Sequence, residues 1–113
     1  MKYLVCWLLF VTDVALACVG MNAQQLQDKL KQEPAEQLVF FASWCASCKK
    51  HLTPESLKAS YFIAVFDEQS AAEKAYSAFL GETNLKRCVW DQDGSIAAAY
   101  GVKSLPVVRA LKP

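Results

Sequence analysis

The chain has 113 residues and a formal net charge of +1, with 54% hydrophobic and 20% charged residues. This length fits one domain, and this composition excludes a disordered or collagen-like chain. The Lys and Arg residues are scattered rather than clustered. We therefore expect no nucleic-acid partner.

The first part of the chain, residues 1–17, is typical of a signal peptide. Lys2 precedes a continuous apolar run over residues 3–11, and residues 15–17 supply the small-x-small pattern that signal peptidase recognises. The run is too short to span a bilayer. We expect cleavage after Ala17 and export to the periplasm as a single domain over residues 18–113; a buried N-terminal element of a cytosolic protein is the alternative.

Cys18 allows a second kind of processing. The run Ala15-Leu16-Ala17-Cys18 resembles a lipobox, in which Cys18 carries a lipid anchor, although Ala15 stands where Leu is usual. Under this alternative the chain is a membrane-anchored lipoprotein rather than a released protein.

Five cysteines are present. Removal of the signal removes Cys6 and leaves four cysteines, for which three pairings exist. Cys45 and Cys48 form the obvious local pair. Cys18 and Cys88 then either bridge in an oxidising compartment or remain as an acylated residue and a buried thiol.

Hydrophobic periodicity predicts strands that alternate with helices, which indicates an α/β layer structure with a mainly parallel sheet and flanking helices. In chain order we first expect a helix over 23–32 capped by Asn22, a strand over 38–42, and a helix from Cys45 to about Lys58 with a kink near Pro54. A strand over 61–66 follows, and then a helix that has Gly81 near its end and an apolar face made of Ala72, Ala75, Tyr76, Phe79 and Leu80. The remaining elements are a short strand over 87–90, a turn over 91–94, one or two helical turns over 96–100, and a strand over 107–111.

The pair Cys45 and Cys48 carries the chemistry of the chain. Cys45 follows a predicted buried strand and begins a predicted helix, where free backbone N–H groups and the helix dipole favour the thiolate. Cys48, three residues on, is close enough to form a disulfide with Cys45 and to resolve a mixed disulfide with a partner. Trp44 offers a flat apolar surface beside the pair. This placement predicts thiol–disulfide exchange.

Two separated segments resemble the thioredoxin superfamily. Residues 40–50, FFASWCASCKK, resemble its active-site segment, and residues 100–106, YGVKSLP, resemble its cis-proline loop. Residues 91–102 are more similar to the periplasmic TlpA/DsbE-like branch than to thioredoxin itself. The resemblance implies a thioredoxin-like fold and a thiol:disulfide oxidoreductase without a cofactor.

The resemblance also implies roles for individual residues. Cys45 is the attacking cysteine, Cys48 is the resolving cysteine, and Pro106 is a cis-proline that shapes the substrate groove together with Leu105 and Trp44. The implied partners are dithiol or disulfide proteins and a membrane electron donor. The TlpA/DsbE-like branch implies a reductive role in cytochrome c maturation.

The chain departs from the family pattern at three places. Val39 stands where many thioredoxins carry a buried acid, and His51 stands where the TlpA-like branch often has Glu. His51 is therefore a candidate proton acceptor, with a partly exposed helix residue as the plainer interpretation. The sequence stops at Pro113, so the fold is expected to lack the last strand and helix.

Two other functions are compatible with the same residues. Cys45, Cys48 and His51 supply soft ligands for Cu(I), which suits a copper carrier. A thioredoxin-like module that binds a partner without catalysis is the second alternative. The preferred interpretation needs no metal.

Overall fold

The computed structural model describes residues 18–53, 59–80 and 87–111. In these ranges five strands form one sheet, with helices packed against it. No helix in these ranges has the length and hydropathy needed to cross a membrane. The elements are β1 (Val19–Met21), α1 (Ala23–Gln32), β2 (Gln37–Phe41), a 3₁₀ helix (Ala46–His51), β3 (Ser60–Ala64), α2 (Gln69–Leu80), β4 (Cys88–Asp91), α3 (Ser95–Ala99) and β5 (Val107–Ala110).

The strand order across the sheet is β1-β4-β3-β2-β5. The pairs β1–β4, β4–β3 and β3–β2 are parallel, whereas β5 runs antiparallel to β2. This mixed sheet confirms the expected α/β fold with mainly parallel strands. The carboxyl ends of β2 and β3 lie side by side, because Phe41 is in register with Ala64.

The central strands are buried on both faces, which explains their continuous apolar sequences. Along β2, Val39 and Phe41 belong to one buried cluster, whereas Leu38 and Phe40 belong to the other. On the first face, the ring of Tyr76 in α2 lies 6.5 Å from the ring of Phe41. On the second face, α1 contributes Leu26. The flanking helices thus cover opposite sides of the sheet.

Helix α1 has the predicted bounds and the predicted cap. The side-chain oxygen of Asn22 accepts a hydrogen bond from the Gln25 N–H at 2.9 Å, and the Asn22 N–H donates to the Gln25 side chain at 2.8 Å. This reciprocal arrangement satisfies the free N–H groups of the first turn. The apolar face predicted for α2 is also confirmed, since Ala72, Ala75, Tyr76 and Leu80 are buried and Phe79 packs beside them.

The segment after Cys45 differs from the prediction. It forms a 3₁₀ helix that ends at His51, and neither Leu52 nor Thr53 is helical. A residue before proline is disfavoured in the helical region, so Thr53 cannot easily continue the helix into Pro54. The kink expected near Pro54, the signal peptide and Gly81 lie outside the described residues.

Two strand predictions also need correction. Strand β1 was not expected, because three residues with a central glycine carry no strand pattern of their own. Strand β3 ends at Ala64 rather than Phe66, and Phe66 has a φ of 58°. This positive φ turns the chain away from the sheet directly beside the candidate site.

Candidate active site

The Cys45–Cys48 disulfide lies just beyond the carboxyl end of β2. The Cys45 N–H donates to the Ala42 carbonyl at 3.1 Å, which closes a turn, and the Cys48 N–H donates to the Cys45 carbonyl at 3.1 Å. Since a 3₁₀ helix has three residues per turn, side chains three apart lie one above the other. The two Cα atoms are 5.4 Å apart, within the usual range for a disulfide.

The two sulfur-bearing residues differ in exposure. Cys45 retains 6% of its surface, whereas Cys48 is fully buried. Trp44, directly before the pair, is 62% exposed. What exposure the pair retains is therefore at Cys45, next to the exposed Trp44.

A clamp formed by Ser43 and Asp67 holds the loop that leads to Cys45. The Asp67 carboxylate accepts hydrogen bonds from the Ser43 N–H at 2.6 Å and from the Ser43 hydroxyl at 3.0 Å. The Asp67 backbone carbonyl accepts a hydrogen bond from the indole of Trp90 in β4 at 2.8 Å. The clamp thereby connects the ends of three neighbouring strands and restricts the loop before Cys45.

Phe66 provides a second link to this loop. Its carbonyl accepts a hydrogen bond from the Trp44 indole N–H at 3.0 Å, and its own side chain is 49% exposed. Two residues with large exposed apolar side chains are thus joined by a hydrogen bond next to Cys45. The sequence pattern predicts no role for Phe66 or Asp67, although Asp67 is a polar residue that follows a buried strand at the same sheet edge as Cys45, where functional residues of α/β sheets lie.

The predicted groove residues Leu105 and Pro106 lie in the segment before β5. Leu105 packs against the buried cluster that contains Cys45 and Cys48. The Leu105–Pro106 peptide bond is cis, as the resemblance of residues 100–106 implies. Leu105, 60 positions after Cys45, thus packs against the cluster that contains the disulfide, and Pro106 next to it is half-buried.

Two positions bear on proton transfer. Val39 is buried in the same cluster as Cys48, so an apolar side chain occupies the place expected for a thioredoxin acid. His51 ends the 3₁₀ helix and is half-buried. In the described ranges, no three His, Cys, Asp or Glu side chains are grouped to hold a metal ion, and Cys45, Cys48 and His51 therefore do not form such a group here.

A second disulfide joins Cys18 to Cys88. It lies one residue before the register pair Val19 and Val89, so it links the amino ends of β1 and β4. Both cysteines are fully buried, and their Cα atoms are 4.6 Å apart. Of the three possible pairings of these four cysteines, the structure thus contains the one with a local pair and a long-range bridge.

Comparison with known proteins identifies no relative: no family model, no curated protein and no solved structure matches the chain.

Proposed function

We propose that this chain is a thioredoxin-like thiol:disulfide oxidoreductase that exchanges disulfides with protein partners through Cys45 and Cys48. The observation that carries the proposal is the position of this disulfide. It follows a strand buried on both faces, has one cysteine that retains 6% exposure and one that retains none, and lies beside an exposed tryptophan. A bridge with only a structural purpose needs no such asymmetry.

The asymmetry supports the order of events. A partner thiolate attacks the Cys45 sulfur, the Cys45–Cys48 bond breaks, and Cys48 leaves as a thiolate. The second thiolate of the partner then attacks the partner sulfur that is bonded to Cys45. This step closes the partner disulfide and releases Cys45 as a thiolate. Two electrons have then passed from the partner dithiol to the protein, and the reverse sequence reduces a partner disulfide.

The resemblance to the TlpA/DsbE-like branch favours the reverse, reductive direction outside the cytoplasm, with electrons supplied through a membrane donor and a role in cytochrome c maturation. The Cys18–Cys88 bridge supports this location, because buried structural disulfides persist mainly in oxidising compartments. Trp44, Leu105 and Pro106 are proposed to line the groove for the partner, and His51 to accept a proton at the end of the 3₁₀ helix.

Paired serine variants test the proposal. We expect the wild-type protein to reduce insulin and to exchange with glutathione, and both Cys45→Ser and Cys48→Ser to lose turnover to the uncatalysed rate. Only Cys48→Ser should accumulate a mixed disulfide, because it keeps the attacking sulfur and lacks the resolving one. Wild-type protein that neither reduces insulin nor exchanges with glutathione would contradict the proposal and favour an idle binding module.

The same variants examine the copper alternative. Reduced wild-type protein is titrated with Cu(I) and passed through a desalting column. Copper that remains bound at one equivalent and is lost in Cys48→Ser, together with absent exchange activity, would favour a carrier. We expect exchange activity without such retention. The redox potential of the Cys45–Cys48 pair then gives the direction: about −270 mV, as in thioredoxin, indicates a reductant, and about −120 mV an oxidant.

A further inference from the structure

The side-chain sulfur, the backbone N–H and the backbone carbonyl of Cys18 each have a bonding partner in the structure. Its sulfur is bonded to Cys88, its backbone N–H donates to the Glu73 carboxylate at 3.0 Å, and its carbonyl accepts from the Gln69 side chain at 2.7 Å. Glu73 and Gln69 both belong to α2, which packs on this face of the sheet. The structure therefore places a carboxylate at the backbone nitrogen of the residue that follows the predicted cleavage site.

Cleavage of the Ala17–Cys18 bond would change the chemistry of that nitrogen. Hydrolysis consumes one water, leaves the new carboxylate on Ala17 and leaves an amine on Cys18. An α-amino group has an ordinary pKa of about 7.7–8.0, so it is mainly an ammonium at neutral pH. The N–H to carboxylate hydrogen bond then becomes an ion pair with Glu73, which is the stronger interaction.

The disulfide bears on the other form of processing. Lipid attachment at a lipobox uses the cysteine sulfur to form a thioether. One sulfur cannot hold a thioether and a disulfide at once, and in this structure the Cys18 sulfur is bonded to Cys88. Cys18 is also completely buried, whereas a lipid anchor must leave the protein surface.

We propose that Cys18 is the first residue of the processed chain and that it is not a lipid anchor. Its free α-ammonium forms an ion pair with the Glu73 carboxylate, and its sulfur forms the disulfide with Cys88. The groups that hold Cys18 are the Glu73 carboxylate, the Gln69 side-chain amide and the Cys88 sulfur. This inference is independent of any exchange activity at Cys45.

The intact mass of the exported protein tests the proposal. The full chain is expressed with its own leader in an exporting bacterial host and measured without reduction. We expect the mass of residues 18–113 less four hydrogens, which corresponds to two disulfides and an unmodified amine. A mass raised by acyl groups, a retained leader or a different first residue would overturn the proposal.

An NMR titration of the same exported protein tests the ion pair itself. The pKa of the Cys18 α-ammonium should be higher in wild type than in Glu73→Gln, because the carboxylate stabilises the ammonium, and this measurement needs no reagent to reach the buried residue. Glu36→Gln makes the same change at an exposed position and should leave this pKa unchanged. Equal pKa values in wild type and Glu73→Gln would refute the ion pair.

Discussion

The two disulfides of this protein differ in the length of the loop that they close and in the exposure of their cysteines. Cys18–Cys88 joins residues separated by 70 positions and lies between two adjacent strands, with both cysteines fully buried. Cys45–Cys48 joins residues separated by three positions and lies at the start of the 3₁₀ helix, with Cys45 6% exposed and Cys48 fully buried. Because a disulfide that closes a longer loop restricts the unfolded chain more, we expect Cys18–Cys88 to contribute more to stability, and we propose that Cys45–Cys48 is the bridge that exchanges.

The largest expected effect is on stability, from removal of the long-range bridge. A Cys18→Ala/Cys88→Ala variant should lose about 4 kcal/mol of unfolding free energy, because the bridge closes a long loop in the unfolded chain. Urea unfolding measures the loss. The exchange rate of the molecules that remain folded should be unchanged.

The matched variant Cys45→Ala/Cys48→Ala sharpens the comparison. It should lose only about 1.5 kcal/mol, since its loop is very short, but should lose all exchange activity. Similar losses of unfolding free energy in the two double variants would contradict a larger contribution of Cys18–Cys88 to stability.

A smaller effect is expected at the Ser43–Asp67 clamp. Asp67→Asn should cost about 2 kcal/mol, because one carboxylate oxygen accepts from the Ser43 N–H at 2.6 Å and the other from the Glu68 N–H at 3.0 Å, whereas an amide can accept at only one of the two positions. Urea unfolding measures this cost, and insulin reduction should slow as the loop before Cys45 becomes looser.

Asp93→Asn is the control for this clamp. Asp93 accepts a hydrogen bond from the Ser95 N–H in an exposed turn, and its hydrogen bonds to Ser95 lower its pKa. Since this depressed pKa contributes stability that is lost as the pH falls through it, the variant should resemble wild type in acid and be slightly less stable at neutral pH. Activity should not change. A neutral-pH loss equal to that of Asp67→Asn would contradict a special role for the clamp.

The smallest effect on stability is expected at Trp44. Because its side chain is 62% exposed, Trp44→Phe should cost less than about 1 kcal/mol, which is the net contribution of the lost hydrogen bond to the Phe66 carbonyl. Trp44→Ala also removes the ring, and its KM for a protein disulfide should rise about five-fold, equivalent to about 1 kcal/mol.

The exchange rate of Trp44→Ala with glutathione should be nearly unchanged, since glutathione is too small to cover the Trp44 ring. Equal losses with glutathione and with the protein substrate would show that Trp44 acts on the sulfur chemistry rather than on partner binding.

Local patterns predicted most of the elements. Helix α1 has the predicted bounds because its cap and its apolar spacing are both contained within a few residues. Strands β2 and β3 were predicted from their apolar runs, and their ends differ from the prediction by one or two residues. The helix after Cys45 was predicted too long, since its periodicity continues past the residue at which Pro54 disfavours it.

Tertiary contacts decided what local patterns could not. Strand β1 exists through its pairing with β4 and the bridge to Cys88, neither of which has a local signature. Asp67 lies near Cys45 because parallel strands end at the same sheet edge, although the two residues are 22 positions apart. The order of strands across the sheet sets such neighbours.

Short stretches of the chain are enough to predict Cys45 and Cys48 as the local pair, to predict the alternation of strands and helices, and to show the resemblance of residues 40–50 to a known active-site segment. These features depend on spacing and side-chain type over short stretches of chain. Packing between distant segments settles which cysteine pairs with Cys18, which residues hold the loop before Cys45, and which cysteine of the local pair retains exposure. Those outcomes depend on how distant segments pack, because burial and hydrogen bonding are properties of neighbours in space rather than in sequence.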